Sequence, residues 1–95
     1  MTIQVKKGFV LRRIGAQYMA VPFGATATEV SGMISLTETG YFLWKAMEGG
    51  ANTMEALADA LTAEYEVERE QAVKDIYMFV ANLAAMGVIE GNPEA

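Results

Sequence analysis

Glu64, Glu66, Glu68 and Glu70 alternate along the chain, and Ser31 and Ser35 lie close together upstream; these are the groupings whose residue types invite a chemical reading. Alternating carboxylates can ligate a hard cation. The same four also read as a solvated acidic turn whose later members favour the start of a helix. A serine nucleophile needs an activating base, and the chain contains neither histidine nor cysteine. That removes the commonest general base, the thiol nucleophile, the thiolate metal site and any disulfide framework. Gly49-Gly50 lacks the lysine and serine that follow in a phosphate-cradling loop. The sequence therefore carries no catalytic constellation and no metal site, and it calls for no cofactor. Its function should be binding.

The overall balance limits what could be bound. Aspartate and glutamate total 12 against 7 lysines and arginines, a net charge of −5. Nucleic-acid binding normally runs on the opposite balance, because phosphate contacts supply much of the affinity. No apolar run approaches the roughly 20 residues of a membrane span. Lys6 and Lys7 precede Phe9-Val10-Leu11, but Arg12 and Arg13 cut that run short, which argues against a signal peptide. With 95 residues, 53% of them hydrophobic, the chain reads as one domain with a single modest core. A cytoplasmic protein is expected.

The elements that must build a binding surface are organised around Met33 to Trp44. This stretch begins as a strand and turns through Thr37-Glu38-Thr39 into an apolar helix. Thr37 is the expected N-cap, with Glu38 in the first turn. Upstream, β-forming runs cover Gly8 to Ile14 and Gln17 to Phe23, joined by Gly15-Ala16, where a leading glycine suits a type II′ hairpin turn. In the second run Met19, Val21 and Phe23 alternate onto one face, and Pro22 should weaken the pairing near it. Met1 to Lys7 reads as a frayed lead-in, and Gly24 to Glu29 as a loop. Val30 to Leu36 should be the third strand of an antiparallel meander.

Three helices follow. The first spans about Glu38 to Glu48; Gly40 in its first turn costs roughly 1 kcal/mol against alanine and hints at close backbone packing. The second spans about Met54 to Tyr65, capped by Asn52 or Thr53. The third spans about Arg69 to Met86, with Ala72, Val73, Ile76, Phe79, Val80 and Leu83 on its buried face and Gly87 at its αL cap. Val88 to Glu90 could form a short last strand, and Gly91 to Ala95 a tail. The predicted fold class is α+β, winged-helix-like, a three-stranded antiparallel sheet followed by three helices.

A helix-turn-helix of this shape also invites a DNA-binding or regulatory reading. On helix three, however, Glu68, Glu70, Gln71 and Asp75 outweigh Arg69 and Lys74, which would repel phosphates. Lys6, Lys7, Arg12 and Arg13 could still form a wing contact. Peptide recognition fits better, since the outer edge of a meander can accept an added strand. At that edge Gly32, Ser31 and Ser35 leave room, and Met33 offers an adaptable apolar contact. Met33, Ile34 and Phe79 would equally serve as ordinary core. The open strand could also pair with a second copy, giving a homodimer.

Leu36-Thr37-Glu38-Thr39-Gly40-Tyr41-Phe42-Leu43-Trp44 resembles the Leu-Asn-x-Thr-Gly-x-x-Ile/Leu-Trp signature of the PqqD-like family. Glu48-Gly49-Gly50, Thr53 to Leu57, Glu64-Tyr65-Glu66-Val67, Asp75-Ile76 with Phe79-Val80 and Leu83, and Gly87-Val88-Ile89 resemble further family segments in the same order. Thr37 departs from the family's asparagine but is also a competent cap. The resemblance implies a non-catalytic recognition element for ribosomally made, post-translationally modified peptides. Such domains hold the leader of a precursor as a strand beside their own third strand, against helix three. They present it to a modifying enzyme, often a radical S-adenosylmethionine enzyme, with no nucleic acid or membrane involved. On that resemblance the peptide-binding residues are Gly32, Met33, Ile34, Ser35, Asp75, Ile76, Phe79 and Asn82. Met33 and Phe79 would shape one apolar pocket, and Asp75 would pair with a basic leader residue or a backbone amide.

Overall fold

The computed structural model describes residues 3–30 and 32–91. Ser31 and the outer parts of the expected lead-in and tail lie outside them. The elements in chain order are β1 (Ile3–Val5), β2 (Phe9–Ile14), β3 (Gln17–Pro22), α1 (Thr26–Glu29), β4 (Ile34–Leu36), α2 (Glu38–Glu48), α3 (Met54–Glu64), α4 (Arg69–Ala85) and β5 (Ile89–Gly91). The expected α+β arrangement is present: β2, β3 and β4 form the antiparallel meander, followed by three long helices.

The hairpin closes with Ile14 opposite Gln17. Gly15 takes a φ of 62°, whereas Ala16 keeps a negative φ, the pattern of a type II′ turn. The ladder reaches Pro22, opposite Phe9, at the end of β3. Met19 and Val21 share one face of β3 as expected, and the strand ends at Pro22, before Phe23. Ala20 is completely buried, paired with Ile34 of β4, while Phe23 is exposed. Met19 and Val21 therefore lie on the outer face, and the smaller Ala20 points to the helices.

The lead-in also differs from expectation. Ile3 is only 1% exposed, and β1 pairs with β5. The Ile3 N–H donates to the Asn52 carbonyl at 2.6 Å, and the Lys6 N–H to the Val88 carbonyl at 2.7 Å. The segment expected to fray is thus a strand from Ile3 onward. The Gly24–Glu29 loop contains the single turn α1, and Val30 is its C-cap, so β4 begins only at Ile34.

Local capping chemistry sets the helices. The Thr37 hydroxyl oxygen accepts from the Gly40 N–H at 2.9 Å, and that of Thr53 from the Ala56 N–H at 3.0 Å. These bonds satisfy amides left without intrahelical partners. Gly87, at a φ of 77°, follows the end of α4. On α4 the buried residues are Ala72, Ile76, Val80 and Leu83. Val73, expected among them, is exposed, and Phe79 is half-buried. Trp44 anchors the core edge-on to Phe9, with ring centroids 5.2 Å apart.

Candidate functional site

The site grows out of the shortness of β4. Gly32 has a φ of 80°, and a Cβ placed there would meet nothing within 4 Å, so its glycine serves the backbone turn rather than clearance. Three strand residues follow before Thr37 starts α2. One edge of β4 pairs with β3 through Leu36 opposite Tyr18, Ser35 opposite Met19 and Ile34 opposite Ala20. Its other edge has no strand partner among the described residues. Alternate residues of such an edge strand turn their N–H and C=O groups outward, unpaired.

Helix α4 supplies the neighbouring wall. Asp75, Phe79, Asn82 and Met86 recur at spacings that bring them onto one side of a helix. A concavity of about 510 Å³ is lined by Glu29, Val30, Met33, Ile34, Ser35 and Met86, joining the β4 edge to the C-terminal end of α4. A second, of about 280 Å³, is lined by Thr37, Thr39, Gly40, Leu43, Asp75 and Phe79, joining the start of α2 to the middle of α4. Another concavity of about 470 Å³ lies between Gln4–Phe9 and the end of α2; no β4 or α4 residue lines it.

The expected site residues separate into four groups. Met33, Ile34 and Ser35 come together in the first concavity, and Asp75 and Phe79 in the second. Met33 and Phe79 therefore line different concavities rather than one pocket. Gly32 and Asn82 are exposed but line neither. Ile76 is the correction: at 0% exposure it belongs to the core and offers no surface to a ligand. Ile34 is also buried, at 7%, so its contribution to the edge is mostly backbone.

Sequence reasoning missed Met86, Glu29, Val30, Thr37, Thr39, Gly40 and Leu43 as lining residues. Met86 was within reach, since it continues the helical stripe of Phe79 and Asn82. Glu29 and Val30 are positioned by α1, which local sequence does not distinguish from loop. Thr37 and Gly40 carry sequence signals only as a cap and a packing position.

Acidic groups punctuate the two concavities. Asp75 accepts from the Gln71 Nε2 at 2.8 Å on the open surface. Glu29 is engaged by Lys6. On α4, Arg69 donates to Asp59 at 2.6 Å. The Tyr65 hydroxyl donates to Glu38, in the first turn of α2, at 3.3 Å. Burial, then the Glu38 charge and this bond, push the Tyr65 pKa up from its ordinary value of 10.0. Glu64, Glu66, Glu68 and Glu70 are all exposed, and among the described residues no three carboxylates converge as a metal site requires. No helix among the described residues is long and apolar enough to cross a membrane.

The fold is similar to a solved structure described as TbiB1 in complex with the TbiA(beta) leader peptide. The two share 25% sequence identity with a TM-score of 0.73, over 94% of this chain and 96% of that one. No curated protein matches the sequence. The family model of coenzyme PQQ synthesis protein D matches residues 25–89, which include β4, α2, α3 and α4. The chain belongs to the PqqD family.

Proposed function

We propose that this domain captures the leader segment of a ribosomally made precursor peptide as an added strand on the open edge of β4, beside α4. The observation that carries the reading is the β4 edge, unpaired among the described residues, with one concavity running from it to Met86 at the C-cap of α4 and a second between the start of α2 and the middle of α4. Family membership supports it, as does the likeness to TbiB1, whose structure holds a leader peptide. Strand addition divides the work: main-chain hydrogen bonds give affinity, and pockets for alternate side chains give specificity. A three-residue edge offers few such bonds, so the side-chain anchors must contribute heavily. One apolar anchor rests against Met33 and Met86, two flexible and polarisable side chains that adapt to shape. Another rests against Phe79 and Leu43, with Asp75 at the rim to attract a basic residue.

The domain acts by binding alone, without a cofactor, and hands the held precursor to a separate modifying enzyme, such as one of the radical S-adenosylmethionine type. A second copy pairing through the same edge would compete with the peptide. An amide-shift titration with the leader half of a precursor encoded beside this protein tests the reading. Shifts confined to Gly32–Leu36 and the Asp75–Met86 side of α4 are expected. No shifts at high micromolar peptide, or shifts centred elsewhere, would overturn it.

A further inference from the structure

Gly40 is buried at the third position of α2, directly under the ring of Phe79. A Cβ built on Gly40 would lie 2.9 Å from Phe79 Cε1 and 3.2 Å from the capping Thr37 Oγ1. Both neighbours line the same concavity as Gly40 itself, together with Leu43, Thr39 and Asp75. The missing side chain is thus what lets the Phe79 ring lie against the first turn of α2. Glycine inside a helix is disfavoured through backbone entropy. Its φ here is not positive, so no turn geometry demands it. Clearance for Phe79 is the remaining physical reason.

We infer that Gly40 is the positioning residue for the peptide subsite, holding it open for one apolar side chain by seating Phe79 against α2; this rests on the peptide-capture reading above. The atom that a methyl group would strike is the far edge of a ring on a rotatable side chain. The backbone can therefore stay in place while the ring swings away from α2. The ring then occupies the space it now borders, and the subsite fills with the protein's own side chain. Helix propensity moves the other way, since alanine is a better helix former. Gly40→Ala should consequently separate the two properties, costing affinity while leaving stability unchanged or raised.

The test is a double-mutant cycle on binding of the same leader peptide, using wild type, Gly40→Ala, Phe79→Leu and the pair, with thermal unfolding of each. Gly40→Ala should bind about tenfold more weakly, as expected when one apolar side chain can no longer be buried in the subsite, at an unchanged or higher Tm. In the Phe79→Leu background, where the shorter side chain clears position 40, the same substitution should cost less than about twofold. Ring-to-methyl NOEs should report the displaced Phe79 directly. Equal binding by wild type and Gly40→Ala would overturn the inference and leave peptide capture standing. So would unfolding of Gly40→Ala, since Gly40 would then be a packing residue. Absence of leader binding by wild type would overturn the peptide-capture reading itself, and this inference with it.

Discussion

The Thr26 hydroxyl donates to the Lys7 carbonyl at 2.8 Å, beside the point where Gly8 turns with a φ of 102°. That bond, with the Lys6–Glu29 ion pair, ties the single turn α1 to the connection between β1 and β2. It matters for the proposed binding edge because Gly32 and β4 follow α1 closely in the chain.

Gly8→Ala should therefore be strongly destabilising. The new Cβ would overlap Thr26 Oγ1, on a backbone conformation that side chains avoid. The expected loss is about 2–3 kcal/mol. Urea unfolding followed by the fluorescence of Trp44, the sole tryptophan and a buried one, measures it. Thr26→Val, which keeps the shape and loses the hydroxyl, should cost about 1 kcal/mol.

Ile3→Ala should behave as a core mutation despite its place near the start of the chain. Ile3 is 1% exposed and belongs to the same cluster as Trp44 and Val88. Truncating a buried isoleucine costs about 2–5 kcal/mol. Losses below about 0.5 kcal/mol in the same unfolding assay would return this segment to the status of a surface strand.

Tyr65 gives a pH dependence of defined sign. Its pKa is raised in the folded state, first by burial and then by Glu38. The protonated phenol is favoured by folding, so its contribution is complete below the ordinary tyrosine range. It is lost as pH rises through the raised value. Tyr65→Phe should remove that component, giving a shallower fall in unfolding free energy above about pH 10 than wild type shows. Parallel slopes for the two proteins would show that Tyr65 is not coupled to stability.

Asp75→Asn should weaken leader binding modestly and in a salt-dependent way. An exposed carboxylate facing a basic residue contributes about 0.2–1 kcal/mol, or roughly a 1.4- to fivefold change in Kd. The gap between the variant and wild type should shrink as salt rises. Calorimetric titration at low and high ionic strength checks both the size and the screening.

The parts legible in the sequence were those with local causes. Thr37 and Thr53 announce their helices because a cap acts within three residues, and Gly15-Ala16 announces its turn because only the first position needs a positive φ. The β4 edge followed from counting strands. What escaped depended on distant partners. Nothing near Ile3 signals that β5 will pair with it, so a three-residue strand resembles a loose end. Which face of β3 the helices cover was not legible, because Met19 and Val21 are more hydrophobic than the Ala20 between them, yet the helix-covered side takes the small residue. Ile76 was placed at the binding surface by resemblance, whereas the 72, 76, 80, 83 spacing carries it into the core. The two concavities could not be separated in advance, because that depends on where α1 and α2 approach α4.

The β1–β5 ribbon has a mechanical consequence. Its register sets Ile3 opposite Gly91 and Val5 opposite Ile89, so the outermost pair is the one nearest both chain ends. Tension applied through the two ends meets the ladder in an unzipping geometry, opening one pair at a time instead of shearing all three together. Ile3 is then drawn out of the core among the first residues to move. A domain fixed at one end while its other end is pulled should yield at low force along this axis, whatever its resistance to heat.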